Sequence, residues 1–274
     1  MDQRALLNAG TLRQMKRDGR KIVAVVAYDY QIAQLADRAG VDIVSVGDSV
    51  GVVVWGHRDE LEVTLDHMVL ICRAVRRGVA RAVVSCDFPF GPLQEGRDAA
   101  VSAARRLVNE GGADMVKLDG AAEFPDAVRA VVAAGIPVWG QIGITPHTTL
   151  PHGAMPRSPS EAATAGKDRF VAEARLLEDA GASLLDFTHS GPIAGPEVVR
   201  AVNIPVLGGL GGGPWLDGRI RSVYAAIGYQ ASAADDSSER YANVAATTLG
   251  AIRALCDDVR AGRQLRGAAP IPQK

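Results

Sequence analysis

The sequence has few cysteines, few aromatic residues and no excess of either charge. Its three cysteines, Cys72, Cys86 and Cys256, are odd in number and far apart in a chain of 274 residues. That argues against a disulfide framework or a zinc knuckle and leaves them as buried thiols. Thirty basic residues face 31 acidic ones, a formal net charge of -1, so no whole-protein basic field draws in nucleic acid. Arg73, Arg76 and Arg77 recur at helical spacing and read as a solvated face. No apolar run reaches the length of a membrane span, and the opening MDQRALLNAG lacks the apolar stretch of a secretion signal. The expectation is a protein of the cytoplasm with no membrane partner. With 47% hydrophobic and 22% charged residues, the chain has the composition of an ordinary globular fold rather than of a disordered one.

What is present is a repeated punctuation. A polar, helical lead from Leu6 to Asp18 gives way to the β-branched run Lys21-Ile-Val-Ala-Val-Val-Ala27, then a helical pattern from Gln31 to Ala39 stopped by Gly40. Further apolar runs follow at 42–47, 82–86, 115–118, 136–139, 184–187 and 204–208, with helical patterns at about 64–77, 97–109, 124–134 and 167–180 between them. Three helices end in Ala-Gly before a new strand (Ala39-Gly40, Ala134-Gly135, Ala180-Gly181), where glycine supplies a left-handed turn. Strands alternating with helices mean crossover units and a parallel sheet. Length favours closure into a (β/α)8 TIM barrel over an open sheet. The open alternative would need a glycine fingerprint after the first strand, and Ala27-Tyr28-Asp29-Tyr30 stands there instead. The expected organisation is a single barrel domain over 1–274, with an N-terminal helix and a helical tail regained over 241–261. Its eighth strand is expected around Ile227 to Gln230.

In such a barrel the chemistry lies at the carboxyl ends of the strands. Those ends carry Tyr28 and Asp29, then Asp48 and Ser49, then Asp87, then Lys117 and Asp119, then Gln141, and finally Asp186, Thr188 and His189. Asp48, Asp87 and Asp119 from successive strands would repel one another unless a cation neutralised them, and an oxygen-only set suits Mg2+. The alternative is that each aspartate caps the helix that follows it. His147 and His152 stand in the loop after the fifth strand at a spacing that fits no standard metal set. They are either contacts for an anionic group or exposed loop residues. His57 is either an aid to substrate polarisation or a positioned loop residue. Trp55, Trp139 and Trp215 read as packing residues, Trp215 with a second option of lining a pocket beside the glycine run Gly208 to Gly213.

Eight blocks in order carry a resemblance: Tyr28-Asp29, Gly47-Asp-Ser-Val-Gly51, Gly56-His57, Val63-Thr-Leu-Asp66, Ala74-Val-Arg-Arg-Gly78, Asp87-Phe-Pro-Phe90, Met115-Val-Lys-Leu-Asp-Gly120 and Gly143-Ile-Thr-Pro146. From about residue 10 to residue 230 the chain resembles the ketopantoate hydroxymethyltransferase family, within the phosphoenolpyruvate mutase and isocitrate lyase superfamily. The resemblance implies Mg2+ on Asp48 and Asp87, with Asp119 where the family has a glutamate that serves the metal. It implies that Ser49 and Lys117 hold the carboxylate and keto oxygen of a 2-oxo acid. The implied reaction is transfer of a hydroxymethyl group from methylenetetrahydrofolate to a metal-bound enolate, in a homo-oligomer.

The chain also departs from that family. Thr188 aligns with the family's proton-accepting glutamate, Gln141 with a histidine after the fifth strand, and Tyr224-Ala225 with a later His-Asp pair. A threonine hydroxyl is no base near neutral pH. His189 and Asp186 are the replacement candidates, and the absence of any base is the third option. Asp186 shares a strand face with Thr188 but lies two residues deeper. The pattern suggests a divergent paralogue with altered proton transfer and electrophile. The alternatives are a folate-independent carbon-carbon lyase, aldolase or hydrolase of the wider superfamily, and a 2-oxo-acid-binding barrel without turnover.

Overall fold

Short runs rich in Val, Ile and Leu form eight parallel strands, each paired with its sequence neighbours, and the last strand closes on the first. The computed structural model describes residues 7–149, 158 and 166–267. The strands are β1 (Ile22–Val26), β2 (Ile43–Val46), β3 (Val83–Asp87), β4 (Met115–Asp119), β5 (Val138–Gly143), β6 (Leu184–Thr188), β7 (Val206–Gly208) and β8 (Gly218–Ser222). The helices are α1 (Ala9–Arg17), α2 (Tyr30–Ala39), α3 (Leu65–Gly78), α4 (Arg97–Asn109), α5 (Pro125–Ala133), α6 (Pro146–Thr149), α7 (Lys167–Asp179) and α8 (Ala194–Ala201), followed after β8 by α9 (Val223–Ala226) and α10 (Val244–Arg260). The architecture is the expected (β/α)8 barrel.

The chain divides into two compact units, Met1–Ser222, which holds the whole barrel, and Val223–Lys274. In the second unit, Asn243 caps α10 by accepting from the Ala246 N–H and ties it to the preceding turn through a 2.8 Å bond to the Ala233 carbonyl.

One strand lies elsewhere than expected. The eighth is Gly218-Arg-Ile-Arg-Ser222, not the segment around Ile227 to Gln230, which falls in the second unit. Ile220 is buried while Arg219 and Arg221 are exposed, so this strand has no apolar run. Its pairing with β1 needs a glycine, because a Cβ at Gly218 would stand 2.2 Å from the Ile22 carbonyl oxygen.

Period-two alternation sorts the interior into layers. At the amino ends of the strands, Ile22, Ala24, Ile43, Val83, Met115, Trp139, Leu184, Leu207 and Ile220 pack with Leu12 and Met15 of α1. Two residues further along, the same strands bring Ser45, Ser85, Lys117, Gln141 and Asp186, all buried. The barrel is therefore apolar at its base and polar at its mouth. Helix α1 plugs the base: Asn8 and Thr11 form its capping box. Lys16 Nζ bonds the carbonyls of Val199, Val202 and Ile204 at 2.9–3.2 Å and pairs with Asp217 at 3.0 Å. Leu12 is fully buried in this plug. Leu12→Ala is expected to cost about 2–5 kcal/mol of stability, read from the midpoint of urea unfolding, with the far-ultraviolet circular dichroism of the folded state unchanged.

Candidate active site

The polar mouth is built around one buried ammonium. Lys117 Nζ, on the inner face of β4, lies 3.2 Å from Asp186 Oδ2 of β6 and 3.5 Å from Asp87 Oδ2 of β3. Beneath it is the ring of Trp139, whose centroid is 5.6 Å from the nitrogen. Burial works to lower the Lys117 pKa, but Asp87, Asp186, Asp119 and Asp48 outweigh it and the net shift is upward. The lysine stays charged. Asp87 also accepts from Ser45 Oγ at 3.2 Å, and Asp186 Oδ1 accepts from the Gly209 N–H at 3.2 Å. Burial still pushes the Asp87 carboxyl up to about 7 against the pull of Lys117.

A second group adjoins the first. His147, the second residue of α6, places Nε2 2.8 Å from Asp48 Oδ2, and its backbone N–H donates to Asp119 Oδ2 at 3.2 Å. Burial works to lower the His147 pKa, but the bonded Asp48 carboxylate prevails and lifts the imidazole to about 9. Asp119 is raised by burial, with His147 opposing. Its Oδ1 is buried with no hydrogen bond of ordinary geometry, although the Thr145 hydroxyl stands near enough to pull the carboxyl's pKa down, and such an oxygen costs free energy unless something fills the space beside it. On the rim, Ser49 Oγ lies 2.9 Å from the Tyr28 hydroxyl, and burial lifts that phenol to about 12.

Asp48, Asp87, Asp119 and Asp186 thus share one neighbourhood at the mouth in which, among the described residues, Lys117 and His147 are the cations. With every group ionised, four negative charges face two positive ones. The helix-cap alternative does not describe Asp48 or Asp87, neither of which caps a helix. It describes Asp119 in part, since Asp119 accepts a backbone N–H at the start of α6, while Asp29 caps α2 by accepting from the Ile32 N–H. Among the described residues no three carboxylate, imidazole or thiol groups form a ready-made metal cage. The donor set is one of hard oxygens with a charge deficit and a buried oxygen that has no hydrogen bond of ordinary geometry. It fits a cation that keeps several of its waters, as Mg2+ does.

Of the residues singled out in the sequence, Lys117, Asp48, Asp87, Asp119 and Asp186 come together, and Ser49 lies at the rim beside Tyr28. Asp186 reaches the ammonium from the same layer of the barrel. His189 takes a different course. It follows the end of β6 in a left-handed conformation (φ 58°), its N–H donates to the Gly209 carbonyl, and its ring bonds the Leu210 backbone. Burial lowers its pKa, and Asp186 reaches it through charge alone. Thr188 and Gln141 form a neutral pair, the amide donating to the hydroxyl at 2.9 Å.

His57 is half-buried and 5.5 Å from Trp55, ring to ring, and Trp215 donates to Ser190 Oγ. Trp139 packs in the core as expected. Cys72 and Cys86 are buried thiols, while Cys256 is only half-buried. His152 lies outside the described residues. The residue that sequence reasoning missed is His147, read as a loop histidine. The signal was its position: a helix start, Thr145-Pro146, directly after a strand's carboxyl end puts the next side chain over the barrel mouth.

Residues 7–264 match the family described as ketopantoate hydroxymethyltransferase. A 3-methyl-2-oxobutanoate hydroxymethyltransferase from Cyanothece sp. is 38% identical over 252 residues, covering 91% of this chain and 94% of that one. Another from Anaeromyxobacter dehalogenans is 40% identical over 259 residues, covering 91% and 82%. Among solved structures, phosphonopyruvate hydrolase superposes with a TM-score of 0.62 at 16% identity, covering 98% of this chain and 92% of the other. A 2,3-dimethylmalate lyase described as a PEP mutase/isocitrate lyase superfamily member superposes at 0.62 and 17%, covering 96% and 92%. These two show a shared fold. The matching family and the relatives at 38–40% identity show that the chain belongs to the ketopantoate hydroxymethyltransferase family.

Proposed function

We propose that this chain is a Mg2+-dependent enzyme that forms the enolate of a 2-oxo acid and adds a hydroxymethyl group to its α-carbon. Methylenetetrahydrofolate is the one-carbon donor in this reading, and the relatives' names point to 3-methyl-2-oxobutanoate as the acceptor. The observation that carries it is the charge deficit around Lys117: among the described residues, four carboxylates, two buried and two part-buried, stand against two cations. Asp48 and Asp87 would hold the ion, and the shorter Asp119 would serve it through water. When bound, Mg2+ supplies Lewis acidity to two adjacent oxygens of the 2-oxo acid.

The remaining steps belong to the side chains. Ser49, oriented by Tyr28, donates a hydrogen bond to the substrate carboxylate. Lys117 faces the keto oxygen and stabilises the negative charge that develops there as the α-proton leaves. Asp186, 3.2 Å from that ammonium, accepts the proton. His189 remains the candidate for a proton carrier at the mouth. The reading includes a homo-oligomer in the cytoplasm, which the family resemblance supports; no helix among the described residues is long and apolar enough to cross a membrane.

A second reading, carbon-carbon cleavage or aldol chemistry without folate, has one observation in its favour. The Gln141 and Thr188 pair is neutral, where the family pattern has a histidine and a glutamate.

Two experiments test these assignments. In deuterated water with Mg2+, the wild-type protein is expected to exchange the α-proton of 3-methyl-2-oxobutanoate, followed by proton NMR. Asp186→Asn is expected to slow exchange by about 10²–10⁴-fold, and His189→Gln to leave most of it. Loss in the His189 variant alone moves the base to that residue, and a wild type that binds but never exchanges identifies a non-catalytic barrel. Product formation with and without methylenetetrahydrofolate separates the two reactions. Separately, Mg2+ at a hundred times its dissociation constant is expected to stabilise the fold by about 2.7 kcal/mol, seen as a rise in melting temperature. Asp48→Asn and Asp87→Asn are each expected to abolish most of that rise.

A further inference from the structure

His147 has no task in the mechanism above, yet it stands inside the proposed cation centre. Its Nε2 is 2.8 Å from Asp48 Oδ2. Adjacent ligands on an octahedral ion with bonds of about 2.0–2.1 Å are themselves roughly 3 Å apart, so this nitrogen and this oxygen already have the spacing of neighbours on one ion. The ring is held from several sides. Its own backbone N–H is fixed on Asp119 Oδ2, and Phe90 meets it edge-on at 5.6 Å between centroids. Its Nδ1 faces Asp119 Oδ2 at 4.0 Å, so a carboxylate backs the ring on the side away from Asp48. At that separation the contact is electrostatic, longer than the hydrogen bond that usually backs a metal-binding imidazole. The same Asp119 carries the buried oxygen with no hydrogen bond of ordinary geometry.

We propose that His147 is a nitrogen ligand of the divalent-cation centre, beside Asp48, and that it gives borderline transition ions such as Mn2+ and Co2+ an advantage over Mg2+. The inference rests on the centre assigned under the proposed function. Without an ion, a proton shared between Nε2 and Asp48 holds the pair together. With an ion bound there, Nε2 and Asp48 Oδ2 would both serve as ligands and the proton between them would pass to solvent. An oxygen-only set suits Mg2+, whereas an imidazole raises affinity along the first-row series.

The test is calorimetric titration of the chelator-treated full chain with MgCl2, MnCl2 and CoCl2, without substrate, for the wild type and for His147→Gln. The wild type is expected to bind Co2+ at least tenfold more tightly than Mg2+. The substitution is expected to weaken Co2+ by about 10–100-fold, the range seen even for loss of an outer-shell partner, and Mg2+ by less than threefold. The Mn2+ complex of the wild type is expected to show nitrogen-14 modulation in electron spin echo spectra, and that of His147→Gln to lack it. Circular dichroism and thermal unfolding check that the variant is folded, and His147→Asn is the second variant if it is not. Equal losses for Mg2+ and Co2+, or no nitrogen coupling in the wild type, reduce His147 to a hydrogen-bond partner of Asp48 and overturn the inference while the centre stands. Failure of all three ions to bind overturns the centre as well.

Discussion

The structure at the mouth of this barrel depends on a buried ammonium that must be kept charged. Taking Lys117 out of water is costly unless acidic partners compensate, and the fold supplies Asp87 from the neighbouring β3 and Asp186 from β6, two strands away. Those partners overcompensate. Once Asp48 and Asp119 are added, a single imidazolium cannot restore neutrality, and the protonation of Asp87 near neutral pH is one way to relieve the strain. A bound dication is another. The same imbalance that makes the apo site costly makes it receptive, a common property of sites prepared for charged ligands.

The chemistry is possible because the polarity of the interior changes along the barrel axis. A polar layer of this density has to rest on something rigid and dry. The apolar layers and the α1 plug provide that floor, so the Lys117 side chain can lie over Trp139 with water excluded from below. Side chains on strands are also held more closely than side chains on loops. Lys117, Asp87 and Asp186 are all strand residues, while His147 and Ser49 approach from connecting segments.

Much of this was legible in the sequence, for reasons of periodicity. Strand ends are recognisable where an apolar run stops at a polar residue, which is how Asp48, Asp87, Lys117, Asp119 and Asp186 came to be considered together. β8 was not legible, because a strand that alternates isoleucine with outward arginines has no apolar run, and its defining feature is a glycine fitted to a neighbour's carbonyl. His147 was missed for a different reason. Its partner Asp48 is 99 positions away, and no local spacing reports a contact made across the barrel mouth. The placement of Asp186 against Lys117 follows from register across the barrel, since both lie in the layer two residues beyond the apolar one.

The Lys16 attachment also bears on how such a family diverges. β7 is the least-paired strand of the barrel, sharing only two paired positions with each of β6 and β8. The clasp from α1 holds it at the end remote from the mouth, by way of Asp217 and the carbonyls ahead of β7. Fold integrity and reactivity are thereby assigned to opposite poles of one cylinder. Exchanges such as glutamate to Thr188 can then accumulate at the reactive pole while the closure itself goes untouched, which leaves selection free to try new reactions on an unchanged scaffold.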